Sequence, residues 1–158
     1  MRFTLIDAVL DISADRIIAL KNVSAAEEYL GDHFPTFPVL PGVFMLETMV
    51  QAARRLEASR GGEPRLVFGS ARAIRYGTFV PPGSSLRVEI DRVGDGDDGE
   101  VQFKGRGFRI DGATIAGDDA EPMVAVSGRF SLRPMRLVGG HDVVGYHHGS
   151  ELTTERPG

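Results

Sequence analysis

Pro35, Pro38 and Pro41 crowd the stretch Gly31–Gly42 (GDHFPTFPVLPG), and the run that follows, Val43 to Arg60, holds neither proline nor glycine. Each proline fixes its own φ and drives the residue before it out of the helical region. The first stretch therefore reads as an extended, stiff loop. The second is rich in Leu, Met, Ala, Glu, Gln and Arg and reads as a helix about 27 Å long. Val43, Leu46, Val50 and Ala53 fall on one stripe, and Phe44, Met45 and Met49 widen the apolar arc, so most of this helix is expected to be buried. Arg54, Arg55, Glu57 and Arg60 turn its second half polar, which should bring that end into water. Gly61 and Gly62 stop it.

One long buried helix needs something to bury it. The segment Arg16–Val23 has the β-branched content of a strand, and residues 65–80, 85–93, 100–110 and 122–133 read as four more. GDGDDG joins the second and third of these, a turn rich in residues that tolerate left-handed conformations. Ser24–Leu30 reads as a short helical turn, with Ser24 as cap and Glu27 three residues on. Residues 2–10 are apolar-rich and cannot be typed by period. The fold class is α+β, an antiparallel sheet wrapped around one helix. The chain has 158 residues, which points to a single domain over residues 1–136 and an irregular tail over residues 137–158.

Composition removes several chemistries. No cysteine is present, so thiolate metal sites and cysteine nucleophiles are excluded. A net charge of −4 argues against general nucleic-acid binding. No apolar run has the length of a membrane span, and the N-terminus lacks a signal-peptide core, so a cytoplasmic protein is expected.

His33 stands in the proline loop. Glu47 stands just over one turn inside the helix, among apolar neighbours. A carboxylate there is costly to bury charged, so it must hold a proton or find a partner. Gln51, four residues on, shares its face and can hydrogen-bond it. An imidazole and a partly desolvated carboxyl make an acid–base pair. The amides of Gly42 and Val43 open the helix without intrahelical partners and can receive a carbonyl oxygen gaining charge. A glycine at that point lets a ligand approach.

His33-Phe34-Pro35, Pro38, Pro41-Gly42-Val43, Glu47, Met49 and Gln51 together resemble the 3-hydroxyacyl-acyl carrier protein dehydratases of bacterial fatty acid synthesis. That family writes H-F-P-x-x-P-x-x-P-G-V-x-x-x-E-x-M-x-Q, and the two agree without a gap from His33 to Gln51. Similarity extends to IIALKNVS, FVPPGSSLRVE, FKGRGFRIDG and EPMVAVSGRFSL. The resemblance implies the hot-dog fold. It also implies dehydration of a (3R)-3-hydroxyacyl thioester on acyl carrier protein to the trans-2-enoyl thioester, with no metal and no cofactor. On the matching positions His33 is the base at C2 and Glu47 assists departure of the C3 hydroxyl. The Gly42 amide, with Val43, polarises the thioester carbonyl, and Gln51 orients Glu47. Histidine and acid come from different subunits in this family, so a homodimer is the minimum unit, and larger assemblies of dimers occur. Glutamate rather than aspartate at position 47 argues against double-bond isomerisation.

The sequence departs from the family at Asp32, Thr36 and Ser84 and in the insertion GATIAGDD over residues 112–119. Asp32 places a carboxylate beside the base, which favours a protonated imidazole. The alternative readings are a hot-dog thioesterase using Glu47 with water, and a non-catalytic acyl-thioester-binding subunit. His141, Asp142, His147 and His148 form a histidine cluster that is read as incidental to a polar tail rather than as a metal site. Asp95, Asp97 and Asp98 lack the twelfth-position glutamate of a calcium loop, since position 106 is arginine. Residues 54–75 hold six arginines against two glutamates, a candidate docking patch for an acidic carrier protein.

Overall fold

The computed structural model describes residues 3–62, 65–111 and 122–135. Six strands form one antiparallel sheet. They are β1 (Ala8–Ile12), β2 (Arg16–Asn22), β3 (Leu66–Tyr76), β4 (Ser85–Asp95), β5 (Val101–Ile110) and β6 (Met123–Pro134). Their order across the sheet is β1-β2-β4-β5-β6-β3. A one-turn helix, α1 (Tyr29–Asp32), leads into the proline loop, and α2 (Gly42–Ser59) packs against β2 through β6. This is the expected hot-dog arrangement. The five expected strands are present. β1 is the sixth, from the stretch whose period could not be read.

The sheet curls around α2 because its inner face is apolar and thins where the helix crosses. Leu86, Val88 and Ile90 of β4 alternate inward, and the rings of Phe103 and Phe130, paired across β5 and β6, stack at 5.4 Å. At the crossing β5 carries Gly105, where a Cβ would stand 2.6 Å from Met49 Sδ and 3.0 Å from Ile90 Cδ1. The expected stripe on α2 is rotated. Val43 is 67% exposed, and the buried face runs through Met45, Met49, Ala52, Ala53 and Leu56.

The far end of α2 only partly emerges. Arg55 and Arg60 are exposed, but Glu57 is buried. It accepts a hydrogen bond from Arg92 Nε at 3.0 Å, and Arg92 also pairs with Asp95. Arg60 pairs with Asp15 at 2.7 Å, so a charged brace ties the helix end to β4 and the β1–β2 turn.

Two turns behave as their residues dictate. In GDGDDG, Asp98 and Gly99 take φ of 58° and 77°, within a single 3-10 turn over Asp97–Gly99. At Ser24 the expected reciprocal cap is present. Ala26 N–H donates to Ser24 Oγ at 3.2 Å and Ser24 N–H donates to Glu27 Oε1 at 3.0 Å, although regular helix begins only at Tyr29. The insertion over residues 112–119 and the tail from 137, with His141, Asp142, His147 and His148, lie outside the described residues. Among the described residues no helix is long and apolar enough to cross a membrane.

Candidate active site

The proline loop is not simply extended. His33 ends α1 in an extended conformation with φ −107° and ψ 102°. Phe34 then takes φ 51°, and Phe37 N–H closes a turn onto the Phe34 carbonyl at 2.8 Å. Proline at 35 removes the right-handed helical option for Phe34, and the chain reverses there through the left-handed region. Leu40 N–H bonds the Val80 carbonyl at 2.9 Å and hands the chain to α2. His33 is half-buried, with the Phe34 ring 4.5 Å from its own. Asp32 is exposed.

Pro41 caps α2 through its carbonyl alone, which accepts from Phe44 N–H at 2.9 Å and Met45 N–H at 3.1 Å. The Gly42 and Val43 amides accordingly have no hydrogen-bond partner among the described residues, as the helix geometry requires. The absent side chain of Gly42 leaves room for the ring of Tyr76, whose Cε1 lies 2.9 Å from where a Cβ would stand. Tyr76 is 52% exposed, and Phe79, Phe37 and Phe34 near this loop are each more than half exposed.

Glu47 has the partner its position demanded. Gln51 Nε2 donates to Glu47 Oε1 at 3.0 Å, the i, i+4 bond expected. Arg54 adds a charge that had not been foreseen. Its Nη1 stands 3.6 Å from the same Oε1, while its Nε donates to the Leu66 carbonyl at 3.0 Å. Arg54 is seven residues from Glu47, two full turns, so helical spacing alone could have signalled it. Within one chain, Glu47 and His33 share no hydrogen bond.

The basic residues regroup. Arg54 and Arg60 of the 54–75 run are engaged by carboxylates, and Arg55 donates to the Ile6 carbonyl at 3.4 Å. Arg72 and Arg75 remain exposed on the outer face of β3. There Arg72 sits opposite Arg129 of β6, and Arg129 opposite Lys104 of β5. None of the three has a carboxylate partner among the described residues. They line a cavity of about 380 Å³ that also includes Ser70, Gln102, Ser131 and a single carboxylate, Glu100. Elsewhere on the same face Arg16 of β2, Arg87 of β4 and Arg106 of β5 all pair with Glu89.

Beside the site, buried Lys21, half-buried Glu27 and Tyr29, and exposed Ser24 form a polar knot. Lys21 Nζ lies 3.0 Å from Glu27 Oε1, and the Tyr29 hydroxyl donates to Glu27 Oε2. Burial pushes the Glu27 carboxyl upward. Hydrogen bonds from Tyr29, Ser24 and Lys21, with the Lys21 charge, outweigh it and hold the group below its ordinary 4.5. Burial and the Glu27 carboxylate push the Tyr29 hydroxyl upward.

Comparison with known proteins bears on the same residues. Residues 1–117 match the FabA-like domain family. A Lactococcus lactis subsp. cremoris protein named 3-hydroxyacyl-acyl-carrier-protein dehydratase FabZ is 43% identical over 86 residues, covering 53% of this chain and 60% of that protein. The Granulibacter bethesdensis protein of the same name is 39% identical over 120 residues, covering 72% and 69%. The chain spans 60% of the length of the first curated relatives it matches. Among solved structures, the dehydratase heterocomplex ApeI:P from Xenorhabdus doucetiae superposes with a TM-score of 0.60 at 20% identity over 84% of each chain, a likeness of fold alone. The family match takes in the proline loop, α2 and strands β1 to β5, and the chain belongs to the FabA-like domain family.

Proposed function

We propose that this protein dehydrates (3R)-3-hydroxyacyl thioesters borne on acyl carrier protein, releasing water and leaving the trans-2-enoyl thioester. The observation that carries the reading is the held carboxylate. Glu47 has Oε1 engaged by Gln51 and, among the described residues, Oε2 without a partner, on a helix whose opening amides are unpaired among the same residues. The names of the Lactococcus and Granulibacter relatives support it.

The chemistry needs a proton taken from C2 and one given at C3. The neutral His33 imidazole takes the C2 proton. The C2–H electron pair forms the C2=C3 double bond as the C3–O bond breaks, and Glu47 gives its proton to the departing hydroxyl, which leaves as water. Charge that gathers on the thioester oxygen meets the Gly42 amide and, beside it, that of Val43, at the positive end of α2. Gln51 holds Glu47. No metal or cofactor enters these steps.

The working unit in this reading is a homodimer in the cytoplasm, with His33 of one subunit facing Glu47 of the other. Two observations support it. His33 and Glu47 are not bonded within a chain, and among the described residues β3 is an edge strand paired with β6 alone that carries exposed Phe68 and Tyr76 and is followed by exposed Phe79. A second copy that pairs with this edge covers a surface that is costly to leave in water. The carrier protein, being acidic, docks in this reading on the Arg72–Arg129–Lys104 row. Like charges opposite one another weaken a sheet, which supports a binding role for the row.

A single assay separates the alternatives. The purified protein, given a 3-hydroxyacyl carrier-protein thioester, is followed for enoyl-thioester absorbance and for free thiol. Absorbance without thiol is the expected result. Thiol release would mark a thioesterase, and neither signal would mark a binding subunit.

A further inference from the structure

Gln51 makes three hydrogen bonds through its carboxamide, and two of them are to main chain. Its Oε1 accepts from Leu5 N–H at 2.8 Å. Its Nε2 donates to the Phe3 carbonyl at 3.0 Å and to Glu47 Oε1 at 3.0 Å. A main-chain N–H can only donate and a main-chain carbonyl can only accept. The backbone of residues 3–5 therefore decides which end of the carboxamide faces which way. Oxygen must meet Leu5, nitrogen must meet Phe3, and the nitrogen is thereby turned to Glu47. A flipped carboxamide would set donor against donor at Leu5 and acceptor against acceptor at Phe3.

The segment is itself well anchored. Leu5 and Ile6 are 1% and 4% exposed, and Asp7 N–H bonds the Leu20 carbonyl at 2.9 Å. Arg55, one turn beyond Gln51, holds the Ile6 carbonyl. The Phe3 ring leans on Phe44 of α2 at 5.2 Å.

We propose that Phe3–Leu5 is a positioning element of the active site, which through Gln51 fixes the oxygen of Glu47 that carries the proton. Oε1 faces two donors, the Gln51 amide and the Arg54 guanidinium, so it can only accept. The proton of a neutral Glu47 sits on Oε2, the oxygen left for the substrate hydroxyl. This inference rests on the reading of Glu47 as the acid. Residues 3–5 touch no substrate and act only through Gln51.

The test is a cycle of variants on the 158-residue chain. One variant lacks residues 2–4 and so loses the Phe3 carbonyl. Another is Gln51→Met, which keeps length without polar atoms. The third combines them. Each single variant is expected to lose about tenfold in kcat with KM nearly unchanged, the scale for a misplaced catalytic group. The combination is expected to lose the same tenfold, because both changes cut one chain of contacts. Multiplying losses, near a hundredfold in the combination, would overturn the proposal, as would wild-type kcat in the truncated chain. If the truncated chain does not melt cooperatively, an ester linkage in place of the Leu5 amide removes that one N–H and is read in the same cycle. Glu47→Gln runs alongside. Wild-type turnover in that variant would sink the acid assignment itself, whereas an inactive Glu47→Gln with a fully active truncation would sink only the positioning role.

Discussion

Among the described residues Glu47 meets donors on one oxygen and none on the other, and His33 follows a helix end and precedes a residue in left-handed backbone. The left-handed conformation costs a residue such as Phe34 about 1–2 kcal/mol, and three prolines around it leave the loop little room to relax. His33→Ala and Glu47→Gln are each expected to lower dehydration by at least about 100-fold, the scale for losing a positioned base or acid, in steady-state assays of folded protein. The Glu47–Gln51 bond was legible because helical spacing places the two on one face whatever surrounds them. Arg54 was legible by the same spacing and was instead counted with a surface patch. The bonds from Gln51 to Phe3 and Leu5 were not legible, since they join residues more than 40 apart and depend on how the sheet lays the N-terminal segment along α2.

At the scale of elements, the knot before α1 and the crossing of α2 over β5 make separate predictions. Glu27 is held below its ordinary value in the folded state, so its contribution is present above about pH 4.5 and is lost as pH falls through the lowered value. Glu27→Gln is expected to cost about 2 kcal/mol at neutral pH, the scale of hydrogen bonds to a charged group. The gap to wild type should close in denaturant titrations carried below pH 4.5. Gly105→Ala sets a methyl against Met49 in a close-packed core and is expected to cost about 1–3 kcal/mol, read as a lower melting temperature. The helix, the five strands and the Ser24–Glu27 cap were readable from pattern. β1 was not, because AVLDI is short and its exposed residues Val9, Leu10 and Ile12 are themselves apolar. The buried face of α2 was misjudged at Val43 because an apolar side chain at a helix start can serve an open site as well as a core. Glu57 was taken for a solvated charge because its partner Arg92 lies on a strand 35 residues away.

Across the whole molecule, charge and symmetry carry the remaining claims. Acidic residues exceed basic ones in the chain, yet Arg72, Arg129 and Lys104 line up on one half of the outer sheet without carboxylate partners among the described residues. Sequence order hid this row, because its members come from three strands. Lys104→Glu with Arg129→Glu is expected to raise KM for a carrier-protein thioester by about tenfold or more, the effect of reversing charges in an electrostatic encounter. KM for a pantetheine thioester should stay unchanged, and the difference should shrink as salt is added. The central claim is that His33 and Glu47 act together across a subunit boundary, and subunit mixing tests it most directly. Chains bearing His33→Ala and chains bearing Glu47→Gln are co-refolded in equal amounts, with exchange confirmed by mass spectrometry. Random pairing makes about half the dimers mixed, and each mixed dimer has one pocket with both groups intact. The account predicts recovery to about a quarter of wild-type dehydration from two inactive parents. Activity that stays at the level of the parents, in a sample where mixed dimers are present, would contradict it.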